Sequence, residues 1–433
     1  MTSRAFVLVL GCAIVPWLPI ARAVPGRGSA PGVDTAAADN GTSRLTAYTP
    51  DVRALLQAAR GAPPLLCGLA ANAMGNGFGG GWSAPSPPVG ADVKAQLAAL
   101  DSSHLTPADV ESLLAAISAP DACVREVAAR LLGNAGNDAP VPALVAQLGA
   151  SSGDTRAAAA LALGIAHQAP AAAPLERSLA DPSAAVRSNA AWALGRLRDT
   201  SAVALLAHAL GDAQSVVRGA AAESLGQLRR QDPVPAIIHV LATDSSARVR
   251  RTAAWALGQI RDTAAGTPLA TALQHDADAG VREMAAWALG RLDDAAAAPA
   301  LAAVVQHESS ARVKATAAWA IGKIRPDRAP SGLTQGLADT SGAVRLNVAW
   351  ALGQIRDSAA VPALEQAVRS EHDSRVRRAE FRALLMAGEH AQSAVIGALS
   401  SSDPEIREMA VRALAGHGGR AWPWPRPKPR PFP

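Results

Sequence analysis

The chain has 433 residues and a formal net charge of +5, from 41 Lys and Arg against 36 Asp and Glu. Four Phe and one Tyr are too few for an ordinary compact core, whereas abundant alanine and leucine suit many short helices packed through small side chains. So slight a charge excess is weak for a nucleic-acid-binding function.

In chain order, residues 1–23 read as a secretory signal. Arg4 supplies a positive start, 5–20 is apolar, and Ala21-Arg22-Ala23 fits a small-x-small cleavage site. Pro16, Pro19 and the shortness of the apolar run argue against a membrane anchor. Cys12 stands too early for a lipoprotein box. Cleavage removes Arg4 and Arg22, so the charge falls to 5 − 2 = +3. The expected product is exported, periplasmic or secreted, and no other segment is apolar and long enough to span a bilayer. Residues 24–46 are a Gly/Ala/Ser/Pro/Asp linker. Residues 47–105 form a helical N-terminal cap, with helices expected at 51–60 and 64–74 and a glycine-rich loop at 75–90. That loop lacks the G-x-x-x-x-G-K-[ST] order of a phosphate loop. The mature chain keeps Cys67 and Cys123. They either form a disulfide pinning cap to array or remain two buried thiols.

From 106 to 420 the sequence repeats itself. The dipeptide Val-Arg and its variants fall at 124, 155, 186, 217, 249, 281, 313, 344, 376 and 406, a period of 31–32 residues with a last step of 30. Nine residues after the first member stands a glycine, from Gly133 to Gly353, in eight of the ten units. Each unit predicts two helices. The first is clear at 141–148, where Val141, Leu144, Val145 and Leu148 share a face. The second follows an aspartate, as in Asp181-Pro182-Ser183, with the carboxylate capping and proline in the first turn. No helix pair can bury its apolar face alone, so the units must stack.

The words Asp181…Val186-Arg187…Ala190-Ala191-x-Ala193-Leu194-Gly195-x-Leu197 resemble the short HEAT-like repeats associated with phycobilin lyases, over roughly 106–416. The resemblance implies an all-α fold, an α-solenoid of about ten stacked two-helix units. It also implies an Asp/Arg ladder, from Asp181/Arg187, Asp212/Arg218, Asp244/Arg250, Asp276/Arg282 and Asp339/Arg345, and a concave surface lined by the second helices. About function it implies little.

Five units carry Trp within Ala-Trp-Ala: Trp192, Trp255, Trp287, Trp319 and Trp350, with Glu223 interrupting the series. On a helical wheel the core face of the third unit holds Val186, Ala190, Ala193 and Leu197, and Trp192 falls beside Ser188 and Arg196. The indoles are therefore expected either as a stripe in the groove or packed laterally between repeats. With the stripe go Arg196, Gln259, Arg291, Lys323 and Gln354 as candidate partner-binding residues, because Trp and Arg dominate binding hot spots. The tail at 421–433 is Pro/Trp-rich and basic, and alternating proline makes it extended.

No catalytic, cofactor or metal motif is found. HEAT-like repeats also build deoxyhypusine hydroxylase, whose di-iron centre uses several His-Glu pairs. Only His307-Glu308 occurs here in that order. The expected function is an exported, monomeric, non-enzymatic scaffold that binds a protein or peptide in its groove, with no nucleic acid and no cofactor. The alternative is an accessory subunit of an enzyme or of a membrane sensor or peptidase system, presenting a substrate in lyase-like fashion.

Overall fold

The structure, a computed structural model, describes residues 52–61, 105–135 and 139–417. The expected signal, linker, glycine-rich loop, 64–74 helix, Cys67 and basic tail lie outside them. Every regular element among the described residues is helical, and none is long and apolar enough to cross a membrane. The chain divides into two compact units, with 52–61 and 105–135 in one and 139–417 in the other.

In the smaller unit α1 (Val52–Ala59) packs on α2 (Pro107–Ala116) and α3 (Ala122–Gly133). Thr106 and Asp109 close a capping box at the start of α2. Asp121 caps α3, accepting from the Cys123 and Val124 amides, and its other oxygen accepts from Gly61 N–H at 2.8 Å. One carboxylate thus ties the end of α1 to the start of α3. Cys123, in the first turn of α3, is disulfide-bonded.

The larger unit stacks nine pairs. They are α4 (Val141–Gln147) with α5 (Gly153–Ala166), α6 (Ala172–Ser178) with α7 (Ala184–Leu197), and α8 (Val203–Ala209) with α9 (Ser215–Leu228). Next come α10 (Val234–Thr243) with α11 (Ala247–Ile260), α12 (Gly266–His275) with α13 (Ala279–Leu292), and α14 (Ala298–His307) with α15 (Ala311–Ile324). In the seventh pair a 3-10 helix, Leu333–Ala338, replaces the first helix before α16 (Gly342–Ile355). The stack closes with α17 (Val361–Ser370) and α18 (Ser374–Met386), then α19 (Gln392–Gly397) and α20 (Pro404–Arg412).

Each of the seven second helices from α5 to α16 has 14 residues, and each packs on the second helix that follows it, the last of them on α18. Their starts lie slightly later than the sequence suggested. Helix α7 begins at Ala184, and Asp181 Oδ1 accepts from Ser183 N–H at 2.8 Å. The carboxylate therefore shapes the turn into the helix and is not itself the cap residue.

The helical glycines set the spacing of the stack. A Cβ on Gly258 would lie 2.8 Å from Trp287 Cζ3 and 2.9 Å from Ala288 Cα; on Gly226, 2.7 Å from Trp255 Cζ3 and 2.8 Å from Ala256 Cα. Gly164, Gly290 and Gly322 meet Trp192, Trp319 and Trp350 in the same way. A glycine inside a helix costs about 1 kcal/mol of propensity. Here it lets the next helix come within backbone contact and seats the edge of an indole. Trp192 is 4% exposed and the other four are half-buried. The wheel had placed Trp192 and Ser188 off the core, yet both are buried, because a second helix has neighbours on three sides.

The arginine of each Val-Arg pair fastens the next repeat. Arg187 Nε and Nη2 donate to Asp212 at 2.7 and 2.9 Å, and Nη1 donates to the Asp181 carbonyl at 2.8 Å. The same bond joins Arg156 to Asp181, Arg218 to Asp244, Arg250 to Asp276, Arg282 to Glu308 and Arg345 to Glu371, with Lys314 to Asp339 as a single contact. The ladder is thus inter-repeat; the expected pairs within one unit, such as Asp181/Arg187, meet only through the aspartate's main chain. Glu308 belongs to this ladder, so His307-Glu308 is not a ligand pair. Bidentate, mostly buried pairs of this kind are strong when complete, and losing one partner strands the other. The guanidinium of Arg156 holds Asp181 below the usual carboxylate range, Arg187 does so for Asp212, and Arg282 holds Glu308 at about 2.

One carboxylate has no such partner. Glu380 in α18 is 0% exposed, and neither of its oxygens accepts a hydrogen bond. Burial, then the charge of Glu371, pushes it up to about 8 against the opposing Arg345 and Arg377.

Three outcomes follow. Gly258→Ala should lower stability by about 1–3 kcal/mol through overpacking, against its gain in propensity. Gly219→Ala in α9, where a Cβ meets nothing within 4 Å, should raise it by about 1 kcal/mol; thermal melting compares the two. The ladder carboxylates have folded values below their unfolded ones, so their contribution is full above the unfolded value and lost as pH falls. Melting temperature should therefore drop between about pH 5 and pH 2, and Arg282→Ala should flatten that drop. Glu380 has the opposite sign. The native state keeps a proton that the unfolded chain releases, so stability falls as pH rises from about 4.5 to about 8. Glu380→Gln should raise the melting temperature at pH 8 and much less at pH 5.

Candidate binding face along the second helices

Three parallel rows run along the second helices of the larger unit, one residue per repeat. The first is the indole row, Trp192, Trp255, Trp287, Trp319 and Trp350, with Glu223 in the third repeat. Four residues on, one helical turn away, comes Arg196, Gln227, Gln259, Arg291, Lys323 and Gln354. All are half-buried except Lys323, which is exposed. Arg196 and Arg291 lay their guanidinium groups 5.8 and 5.7 Å from the Trp192 and Trp287 ring centres. Those are cation–π distances. The Nε atoms of both arginines are buried without a hydrogen-bond partner.

The third row was not foreseen. Seven second helices end on a residue in the left-handed region, and none is glycine: His167, Arg198, Arg229, Arg261, Asp293, Arg325 and Arg356, with φ between 49° and 63°. All seven side chains are exposed. Glycine is the usual residue in this conformation, and a β-carbon there costs about 1 kcal/mol. An arginine near a helix C-terminus recovers part of that through the helix dipole. The aspartates that follow are engaged elsewhere: Asp199, Asp262, Asp294 and Asp357 each accept from the amide two residues on and cap the next 3-10 turn. Among the described residues no carboxylate lies within ion-pair distance of Arg196, Arg198, Arg229, Arg261, Arg291, Arg325 or Arg356.

These cations feel one another. The His167 imidazole is pushed below its ordinary value by desolvation and then by Arg196 and Arg198. Arg291 is pushed down by burial and then by Arg261 and Arg229. Among the described residues no group of three or more His, Cys, Asp and Glu side chains converges to hold a metal. The structure therefore brings Trp192, Trp255, Trp287, Trp319, Trp350, Arg196, Gln259, Arg291, Lys323 and Gln354 onto one face, and adds the row of helix-end arginines. A signal for that row was present: Arg198-Asp199, Arg261-Asp262 and Arg356-Asp357 repeat three residues after the glycine.

A family model described as HEAT repeats matches residues 110–183, 175–244, 234–322 and 305–385, a run without a break over more than half of the chain. Among curated proteins none matches. Similar solved structures include an engineered protein at 23% identity, covering 72% of this chain and 99% of that one with a TM-score of 0.45. The complex of CpcE and CpcF of phycocyanin lyase from Nostoc sp. PCC7120 is also 23% identical, over 64% and 94%, with a TM-score of 0.33. Yeast importin-β (Kap95p) is 16% identical, over 85% and 59%, with a TM-score of 0.47. With its 31–32-residue helix pairs, its inter-repeat ladder and the family match from 110 to 385, the chain belongs to the HEAT-repeat family.

Proposed function

We propose that the chain is an exported, monomeric, non-enzymatic scaffold that binds a protein or peptide along the face of its second helices. One observation carries the reading. Five arginines occupy left-handed helix ends where glycine costs least, and among the described residues none has an ion-pair partner. The same stack uses another set of arginines, from Arg156 to Arg345, to hold itself together. The helix-end set is left over, and it lies beside half-buried indoles, a composition suited to binding hot spots. Local strain of this kind is tolerated where a side chain is needed at that point. Export is supported by the signal-like residues 1–23 and by the disulfide at Cys123, which suits an oxidising compartment. A Cys67–Cys123 bond, joining the two cysteines of the mature chain, fits that address.

Photo-crosslinking in the native host tests the reading. A benzophenone side chain at Gln259 or Gln354 should give a discrete adduct with another protein. The same group at Gln274 or Gln366, exposed on the first helices α12 and α17, should not. Adducts of equal yield from both faces, or none from the second-helix face, would overturn the proposal. Fractionation should find the chain outside the cytoplasm and shorter by residues 1–23, and a full-length cytoplasmic chain would remove the export claim.

A further inference from the structure

The indole row fails at one rung, and the consequence is local. In the repeats around it each indole edge covers the glycine of the preceding second helix. Glu223 stands where that indole would be, and the nearest atoms to a Cβ on Gly195 are those of Ser224, its Cα at 2.7 Å. The Ser224 hydroxyl bridges the two repeats by donating to the Ala191 carbonyl at 2.8 Å. A cavity of about 630 Å³ opens over Gly195 and the ends of the neighbouring second helices, with Glu223 outside its wall. Its wall includes His167, Arg196, Arg198, Arg229, Gln259 and the Trp255 ring, and no carboxylate lines it.

The charges around this cavity do not cancel. Arg229 Nη2 reaches only the Gln259 amide oxygen, at 3.3 Å. The Arg196 Nε is buried and without a partner. Two carboxylates stand near. Glu223 is pushed up by burial, which favours its neutral form, and accepts from Gln227 Nε2 at 3.1 Å. Asp199 Oδ1 is taken by the Ser201 amide and hydroxyl. The ends of α5, α7 and α9 bring about half a negative charge each. Three full positive charges, on Arg196, Arg198 and Arg229, exceed those partial ones together with the one full negative charge of Asp199.

We propose that this cavity receives a carboxylate side chain of an acidic, extended segment of the partner, its hydrocarbon part lying on Trp255 and its charge between Arg196, Arg198 and Arg229. The proposal rests on the protein-binding reading above and names the partner's chemistry. The rungs on either side extend it. Stacked helices stand about 10 Å apart, and an extended chain advances about 3.3 Å per residue. Arg198, Arg229 and Arg261 are therefore matched by acidic side chains at about every third residue. Such guanidinium–carboxylate pairs are charge-assisted and partly desolvated in a cleft of this kind.

The test uses the full mature chain and fluorescein-labelled poly-L-glutamate, read by anisotropy at 0.05 M and about 0.15 M salt, where screening differs. Four variants separate site from surface. Arg198→Ser with Arg229→Ser removes two exposed cations of the cavity and should weaken binding about tenfold or more. Arg325→Ser with Arg356→Ser removes the same charge from distant rungs and should weaken it by less than about threefold. Glu223→Trp places a ring edge over Gly195, as at the other rungs, and should weaken binding by narrowing the cavity. Glu223→Gln, which replaces the carboxyl group by an amide of the same size, should not weaken it. Three results overturn the proposal: no binding of poly-L-glutamate, equal loss from both arginine pairs, or tighter binding by Glu223→Trp. An oligodeoxynucleotide of equal charge that displaces poly-L-glutamate at lower concentration would also overturn it. If the second-helix crosslinks form and poly-L-glutamate does not bind, the acidic assignment falls and the protein-binding reading stands; if neither occurs, both fall.

Discussion

Successive second helices meet backbone to backbone where the helical glycine of one faces the Trp-Ala pair of the next. At Gly258 the Ala288 backbone lies 2.9 Å from where a Cβ would be, which leaves no room for any other residue. That contact sets the separation of the helices, and the separation sets everything that repeats with it. It brings Arg250 within 2.7 Å of Asp276, a residue 26 positions away. It also sets one indole position and one helix end per repeat along the second helices. A glycine inside a helix weakens the helix taken alone, and the tertiary contact outweighs that weakness. Propensity and packing disagree at this position, and packing wins at six successive interfaces from Gly164 to Gly322.

The two sets of arginines show how one residue type takes opposite roles. In the ladder, Arg187 makes four hydrogen bonds, two to the Asp212 carboxylate and two to the main-chain carbonyls of Asp181 and Pro182, and its side chain is 17% exposed. It is a fastener between two repeats. Eleven residues later, Arg198 ends the same helix with φ 55°, exposed, beside an aspartate already occupied in capping. The difference is positional. Six residues after its own carboxylate, an arginine reaches the following repeat; at the helix end it reaches solvent.

Much of this was legible in the sequence, and the failures have physical causes. The period, the helix pairs and the glycine position follow from spacing, because each repeat meets the same neighbours. The register of the ladder did not follow. Asp181 and Arg187 are close in sequence, and nothing in a single unit shows that the side chain turns forward to Asp212. Glu308 and Glu371 were not seen as rungs because their longer side chains replace the expected aspartates. The wheel misjudged Trp192 because it gives a helix one buried face, whereas a second helix is flanked by its first helix and by two second helices. That leaves a narrow strip of surface, and residues off the core face can still be 4% exposed, as Trp192 is. The 3-10 helix at Leu333–Ala338 was also unforeseen. Gly332 precedes it with φ 93°, and Gly336 sits where a Cβ would meet Val305 and Val348 at 2.8 Å, so the chain crosses too tightly there for a full first helix.

Stacks of this kind have nearest-neighbour energetics, so a defect at one interface costs only that interface. The exchange of an indole for Glu223 illustrates the point. The helices on either side keep their 14-residue lengths, the ladder passes through Arg187–Asp212 and Arg218–Asp244 unbroken, and a serine hydroxyl restores one bond across the gap. In a single compact core, loss of a ring would be shared among many neighbours and repacked. Here the change stays at its own rung, and the cavity over Gly195 lies beside the side chains that the neighbouring helix ends carry. A repeat protein can therefore vary one rung without rebuilding its fold. The chemistry of the cavity is then decided by the rows already running past it, which at this rung are arginines.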